Sequence, residues 1–213
     1  MTLLSTTRKL ALAAALALAL APGAALALGA AESQALKAVS AKFQTVSSMS
    51  GDFVQFGPSG DKTEGRFFMA RPGKINFTYS APATISVVSD GNSVLVHDKK
   101  LQTYDIWPLS KTPLKYLLQQ KLDLSTFDKV SDVNLEADLV SVTIVDDSRF
   151  GGGKLTLIFD RATNELRQWS VIDDQGLQTS VSIYNVETGK RLAGDLFKIN
   201  YSAATNAARE RSR

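Results

Sequence analysis

The chain contains one histidine, His97, and no cysteine. A general base of the imidazole kind therefore has one position to occupy, and thiolate nucleophiles, thiolate metal sites and disulfides are excluded. A Ser-His-Asp arrangement could form only through His97, yet no serine sits in a strand-turn-helix elbow that would activate it. Flanked by Val96 and Asp98 at the end of an apolar run, His97 reads as a structural residue. Asp146-Asp147 and Asp173-Asp174 could chelate calcium, but neither lies in the alternating oxygen-ligand loop that calcium sites use. They read as solvated turns. Gly151-Gly152-Gly153 follows Arg149-Phe150 and precedes a strand pattern, so it is a hairpin connection and not a phosphate loop. These residues give no catalytic signature.

Arg71 is the remaining candidate. It closes the run Phe67-Phe68-Met69-Ala70 and precedes Pro72-Gly73. Two readings are open: an exposed arginine at a turn, or an inward-pointing donor at the mouth of a sheet. In the second reading, five donors in a rigid fork suit a latch that bonds the carbonyls of a covering segment.

The elements that must position Arg71 run from Thr63 to Trp107. Phe67 and Met69 lie on one side of the first segment, with Arg66 and Phe68 on the other. Ile75, Phe77 and Tyr79 then oppose Asn76 and Thr78. A period of two marks strands that separate two environments. Asp90-Gly91, between ISVVS and SVLVH, predicts a tight hairpin, because glycine accepts the positive φ such turns require. Arg71-Pro72-Gly73, Ser80-Ala81-Pro82 and Lys99-Lys100 punctuate the rest of the meander. A curved antiparallel sheet with one aromatic face is a container or a platform.

Before the sheet, Ala31 to Met49 has helical spacing. Leu36, Val39, Phe43 and Val46 recur every three or four residues, and Ser33 is placed to cap the helix. Ser50 to Phe56 is the first strand. Thr112-Pro113 opens a second helix, with Thr112 as cap and Leu114, Leu117 and Leu118 as a short apolar face; Leu122, Leu124 and Phe127 continue it. Each helix must bury its stripe against the sheet, as a plug in its end or as a lid over one face. Six further strands are expected: Lys129 to Glu136, Leu139 to Val145, Lys154 to Asp160, Leu166 to Ile172, Leu177 to Val186 and Leu196 to Tyr201. Strands at this spacing indicate one antiparallel sheet or barrel of eleven or twelve strands. The polar, Ala-rich residues 202–213 are expected to be a flexible tail.

Residues 1–27 read as a secretory signal peptide. Arg8 and Lys9 are followed by an Ala/Leu run from Leu10 to Ala21 and a small-residue site at Ala25-Leu26-Ala27. That run is shorter than the roughly 20 residues of a spanning helix. Without cysteine, the exported chain is expected to carry no lipid anchor of its own. The net charge of +3 includes Arg8 and Lys9; setting those two aside from 24 basic residues leaves 22 against 21 acidic ones. A nearly neutral body lacks the clustered positive charge that phosphate backbones require, which excludes nucleic acid as the main partner.

The ordered set Phe53-x-Gln55, Gly65-x-Phe67, Arg71-Pro72, Phe77-x-Tyr79, Pro82, Val88-x-Asp90-Gly91 and Thr112-Pro113 resembles the periplasmic lipoprotein carrier family LolA. The hairpin from Phe159-Asp160 to Trp169 and the set Asp195-x-Phe197-x-Ile199 fit the same pattern. The likeness runs from about Val39 to Tyr201, and residues 28–201 are expected to form one carrier domain. After Tyr201 the Pro-Pro segment and further apolar strand carried by many members are missing.

The resemblance implies a mainly β (α+β) fold. It is an incomplete antiparallel β-barrel of about eleven strands, with a helical lid enclosing a hydrophobic cavity. The residues expected to line the cavity are Phe53, Phe67, Met69, Ile75, Phe77, Tyr79, Val88 and Trp107. The lid would comprise Leu36, Val39, Phe43, Val46, Leu114, Leu117 and Leu118, latched by Arg71. The implied partners are acylated lipoproteins, an inner-membrane lipoprotein-releasing transporter, and an outer-membrane receptor or the outer membrane itself; no cofactor is implied. Two alternatives stay open: a lipid- or lipoprotein-sensing regulatory module of the same fold, and a secreted β-barrel hydrolase working through His97.

Overall fold

The computed structural model describes residues 29–147 and 152–211. The expected signal peptide and the Arg149-Phe150-Gly151 part of the glycine connection lie outside these residues. Eleven strands form one antiparallel sheet: β1 (Ser48–Phe56), β2 (Lys62–Ala70), β3 (Lys74–Tyr79), β4 (Ile85–Asp90), β5 (Ser93–Asp98), β6 (Thr103–Pro108), β7 (Val130–Leu135), β8 (Leu139–Asp146), β9 (Gly153–Asp160), β10 (Leu166–Ile172) and β11 (Gln178–Thr188). Their spatial order is β6-β5-β4-β3-β2-β1-β11-β10-β9-β8-β7. The chain thus starts its sheet in the middle and closes it by pairing β11 with β1. The free edges, β6 and β7, are consecutive in sequence.

The alternation read from the sequence sets the two faces. Phe67 pairs with Phe77, and Met69 with Ile75, all four at 5% exposure or less. Phe68 pairs with Asn76 on the other face. The Phe77 and Trp169 rings lie 6.1 Å apart although β3 and β10 are four strands removed. Adjacent strands are about 4.8 Å apart, so a flat sheet would separate them by about 19 Å. The sheet therefore curls around its aromatic face. Gly51 permits the curl on β1: a Cβ there would lie 2.7 Å from the Tyr184 carbonyl, at the register shift between β1 and β11.

Two segments fill the interior. Helix α1 (Ala30–Thr45) buries Leu36, Val39, Phe43 and Ser40. The connection from β6 to β7 adds a 3₁₀ turn at Leu109–Lys111, the short helix α2 (Leu114–Leu117), and the buried residues Leu118, Leu122 and Leu124. Both helix starts differ from expectation. Gly29, not Ser33, precedes α1, because the Glu32 carboxylate reaches back to the Gly29 N–H and extends the helix by a turn. Thr112 does not cap α2; its hydroxyl donates to the Leu109 carbonyl and closes the 3₁₀ turn, leaving Pro113 at the cap.

The C-terminal region also departs from expectation. Leu196 to Tyr201 is not a strand. Gly194–Phe197 is a 3₁₀ turn on the outer face of β3 and β4, where the Asn76 amide donates to the Leu196 carbonyl at 2.5 Å. Residues 202–211, read from sequence as a flexible tail, belong to helix α3 (Tyr201–Arg211), which lies against β6. The Tyr201 hydroxyl donates to Asp90 at 2.8 Å, and Ala204 is buried. Ala at four of its eleven positions supplies the helix propensity, and the sheet supplies the surface.

Candidate binding site

The inner face of the sheet is mostly apolar. From the first half come Met49, Phe53, Phe67, Met69, Ile75, Phe77 and Val94. From the second half come Val140, Val142, Ile144, Leu155, Leu157, Phe159, Trp169, Val181 and Ile183. Phe53 meets Phe77 and Tyr79 edge to face at 5.0 and 5.1 Å. The Tyr79 phenol donates to Gln55 at 2.8 Å, and burial pushes its pKa well above the usual phenol range.

The space within this face is occupied by Leu36, Val39, Phe43, Leu117, Leu118, Leu122 and Leu124, none more than 2% exposed. The expected hollow is thus filled by the chain's own side chains. A pocket of about 70 Å³ lies at the end of α1, between Phe43, Val46, Met49, Leu166 and Val186. Lys42 and Glu165 bridge its rim at 3.4 Å.

The turn between β2 and β3 touches both covering segments. Arg71 turns inward: its Nη1 donates to the Phe43 carbonyl at 2.8 Å and the Val46 carbonyl at 3.3 Å. These carbonyls belong to the last turn of α1 and the residue after it; the Phe43 carbonyl also accepts the Val46 N–H at 3.3 Å, and Arg71 adds a charged donor to that helix end. Two residues on, the Gly73 N–H donates to the Leu118 carbonyl at 2.9 Å. Gly73 has φ +78°, and a Cβ there would come within 2.6 Å of Gly91 Cα, so the turn fits only glycine. Arg71 Nε and Nη2 are buried without partners. Burial lowers the Arg71 pKa to about 10, still far above neutral, so the guanidinium remains charged. Its incomplete pairing and desolvation offset part of what its two hydrogen bonds contribute.

Two further polar contacts hold the covering segments. Ser40 of α1 donates to Asp123 at 3.0 Å and accepts the Leu124 N–H at 2.9 Å. Asp146, at the end of β8 and 3% exposed, accepts from Tyr116 Oη at 2.7 Å, Lys115 Nζ at 2.5 Å and Lys129 Nζ at 3.3 Å. Burial first, and then Asp146, raise the Tyr116 pKa well above the usual phenol range.

The expected lining residues divide. Phe53, Phe67, Met69, Ile75, Phe77 and Tyr79 share the inner face. Val88 does not: it pairs with Asn76 and Leu95 on the outer face, the side of β4 on which the C-terminal 3₁₀ turn lies. Trp107 pairs with inward-facing Val94, but on the free edge β6, where it is 46% exposed. Leu36, Val39, Phe43, Leu117 and Leu118 lie inside, with Val46 and Leu114 partly buried against them. Asp146, expected in a solvated turn, is instead buried at the end of β8; sequence reasoning also missed the tethers Ser40 and Gly73, and the inner residues of β8 to β11. The alternation of Leu155, Leu157 and Phe159 carried the signal for the latter. His97 faces outward, stacked on Tyr104 at 4.1 Å, away from the apolar interior.

A curled, open antiparallel sheet with an apolar inner face, covered by helical segments that a few polar contacts hold down, defines a class of lidded half-barrels. Within that class the chain belongs to the family described as "Outer membrane lipoprotein carrier protein LolA", which matches residues 44–200. It is 27% identical over 184 residues to an outer-membrane lipoprotein carrier protein of Chromohalobacter salexigens, covering 81% of this chain and 85% of the relative. A protein of the same description from Methylococcus capsulatus is 26% identical over 168 residues, covering 75% and 80%. Among solved structures, a chain of the Pseudomonas aeruginosa MucA/MucB complex is similar with a TM-score of 0.46 and 18% identity. That likeness covers 81% of this chain but only 62% of the other.

Proposed function

We propose that this protein is a periplasmic carrier that shields the acyl chains of lipoproteins and shuttles them from the inner to the outer membrane. The observation that carries the reading is the junction at Arg71-Pro72-Gly73, which fastens both covering segments over one apolar interior. Family membership and the names of its relatives support the same task. Arg71 serves as the latch of the lid in this reading.

Transferring one methylene out of water is worth about 0.8 kcal/mol, so an ordinary acyl chain represents on the order of 10 kcal/mol. A lipoprotein cannot cross an aqueous compartment with that surface exposed. The carrier exchanges its own Leu and Phe side chains for the acyl chain: the covering segments swing out, and the aromatic face accepts the lipid. Delivery needs the reverse exchange to be almost as favourable, and a partner that prefers one lid position can drive it. The partners are an inner-membrane lipoprotein-releasing transporter and an outer-membrane receptor or the outer membrane itself. No bond is made or broken.

The test is a fluorescent fatty-acid analogue titrated into the purified chain. Saturable binding with a large gain in emission is expected, displaced by an acylated lipoprotein. Absence of saturable binding at micromolar protein would leave the interior as a permanent core and end the carrier reading.

A further inference from the structure

The turn between β5 and β6 carries the most exposed large apolar residue among those described. Leu101 is 68% exposed, against 36–47% for the other exposed large apolar side chains. This turn is a built structure. Asp98 Oδ1 accepts the N–H groups of Lys100 at 2.8 Å and Leu101 at 3.1 Å, and the Thr84 hydroxyl at 2.8 Å. The Lys99 N–H donates to the Thr84 carbonyl at 2.9 Å, and the Gln102 amide donates to the Lys99 carbonyl at 2.5 Å. Gln102 has φ +53°, which reverses the chain directly after Leu101. The bonds of Asp98 and Thr84 brace the tip against the neighbouring turn, whose Ala81 and Pro82 are also exposed.

An apolar side chain held outward on a braced turn gains nothing from water. The two residues that precede it, Lys99 and Lys100, are both exposed, and no salt bridge joins either to a carboxylate among the described residues. Two cations directly before an exposed leucine complement a surface that is anionic outside and apolar just beneath. We propose that the Lys99–Gln102 tip is a membrane-contacting wedge, inserting Leu101 among the acyl chains of an anionic lipid leaflet while Lys99 and Lys100 meet its headgroups. One leucine and two lysines make the contact brief, which suits a protein that must leave the surface again. The wedge does not require the interior to hold acyl chains, so the two readings can fail separately.

The experiment is flotation with vesicles of phosphatidylethanolamine and phosphatidylglycerol at millimolar lipid, compared with phosphatidylcholine vesicles. The parent chain should associate with the anionic vesicles and lose the association as salt is raised. Leu101→Asp should lower the partition by about tenfold or more. Lys99→Ala and Lys100→Ala should each lower it by about fivefold at low salt. Leu101→Trp should be quenched by brominated lipid beyond the parental signal. Because Leu101 is exposed, thermal midpoints should not move, and Leu101→Ser provides a milder companion with the same expected direction. Binding of the fluorescent fatty-acid analogue should be parental in all of these variants. Parental flotation of Leu101→Asp, or no flotation of the parent chain, overturns the wedge.

Discussion

The Arg71 guanidinium lies over the Phe43 ring, 3.7 Å from its centroid, while bonding the carbonyl of the same residue. One cation thus holds both the side chain that fills the interior and the backbone that ends the covering helix. Hydrogen bonds from a charged group contribute about 1.5–3 kcal/mol each, so losing one shifts a balanced equilibrium by tenfold or more. Arg71→Leu should still fold, bind the fatty-acid analogue at least as tightly as the parent, and transfer loaded lipoprotein to outer-membrane vesicles more slowly. Transfer at the parental rate by a folded variant would reduce Arg71 to a structural residue.

Ser40 joins α1 to the segment that contains Leu124. In Ser40→Ala the buried Leu124 N–H loses its acceptor, at about 1–3 kcal/mol. Amide exchange at Leu124 and its neighbours should accelerate by about tenfold while the centres of β1 and β2 stay protected. Exchange that remains tied to global unfolding would make these segments plugs and not lids.

Asp146 fixes the other end of that connection through Tyr116 and two lysines. Asp146→Ala should lower unfolding stability by about 2–3 kcal/mol, less than a fully buried pair because both lysines reach solvent. Asp146→Asn, which keeps an acceptor for Tyr116, should lose less. Denaturant midpoints measure both, and equal losses would mean that charge, not the hydroxyl contact, dominates.

Burial raises the pKa values of Tyr79 and Tyr116 above the ordinary phenol value of about 10. A phenol held protonated in the fold contributes stability that is fully present below pH 10 and is lost as pH rises past it. Stability should therefore fall above pH 10, and Tyr116→Phe should flatten that fall. Ultraviolet titration should show Tyr79 and Tyr116 resisting ionisation until the fold is lost. Ionisation of both in the folded protein at the ordinary phenol value would contradict their burial.

Much of this architecture was legible because sheet alternation is local. Phe67 with Met69, and Ile75 with Phe77 and Tyr79, declare their face within one strand. Val88 shows where that logic stops. The connection from Ser80 to Thr84 sets the phase of β4, and its geometry depends on contacts the sequence does not display. Leu196 to Tyr201 alternates like a strand, yet Phe197 is buried by turning onto the outer face. Arg71 could be singled out as a donor; its acceptors could not, since Phe43 and Val46 offer only backbone carbonyls. Ser40 gave no signal and Asp146 reads in sequence only as a solvated turn, because their partners lie 83 and 30 residues away.

The strand order gives the connection from Leu109 to Lys129 a mechanical character. Its ends are sewn to the two free edges of the sheet, so it crosses the only seam left between β6 and β7. Stretched out, these residues would reach on the order of 70 Å, far more than a widened seam needs. The stored length is folded into a 3₁₀ turn and a four-residue helix, which have few internal hydrogen bonds to lose. In the proposed carrier it works like a gusset in a bag, letting the circumference grow while every strand keeps its neighbours. The volume such a carrier can offer is then governed by slack in one connection and not by the strength of the sheet.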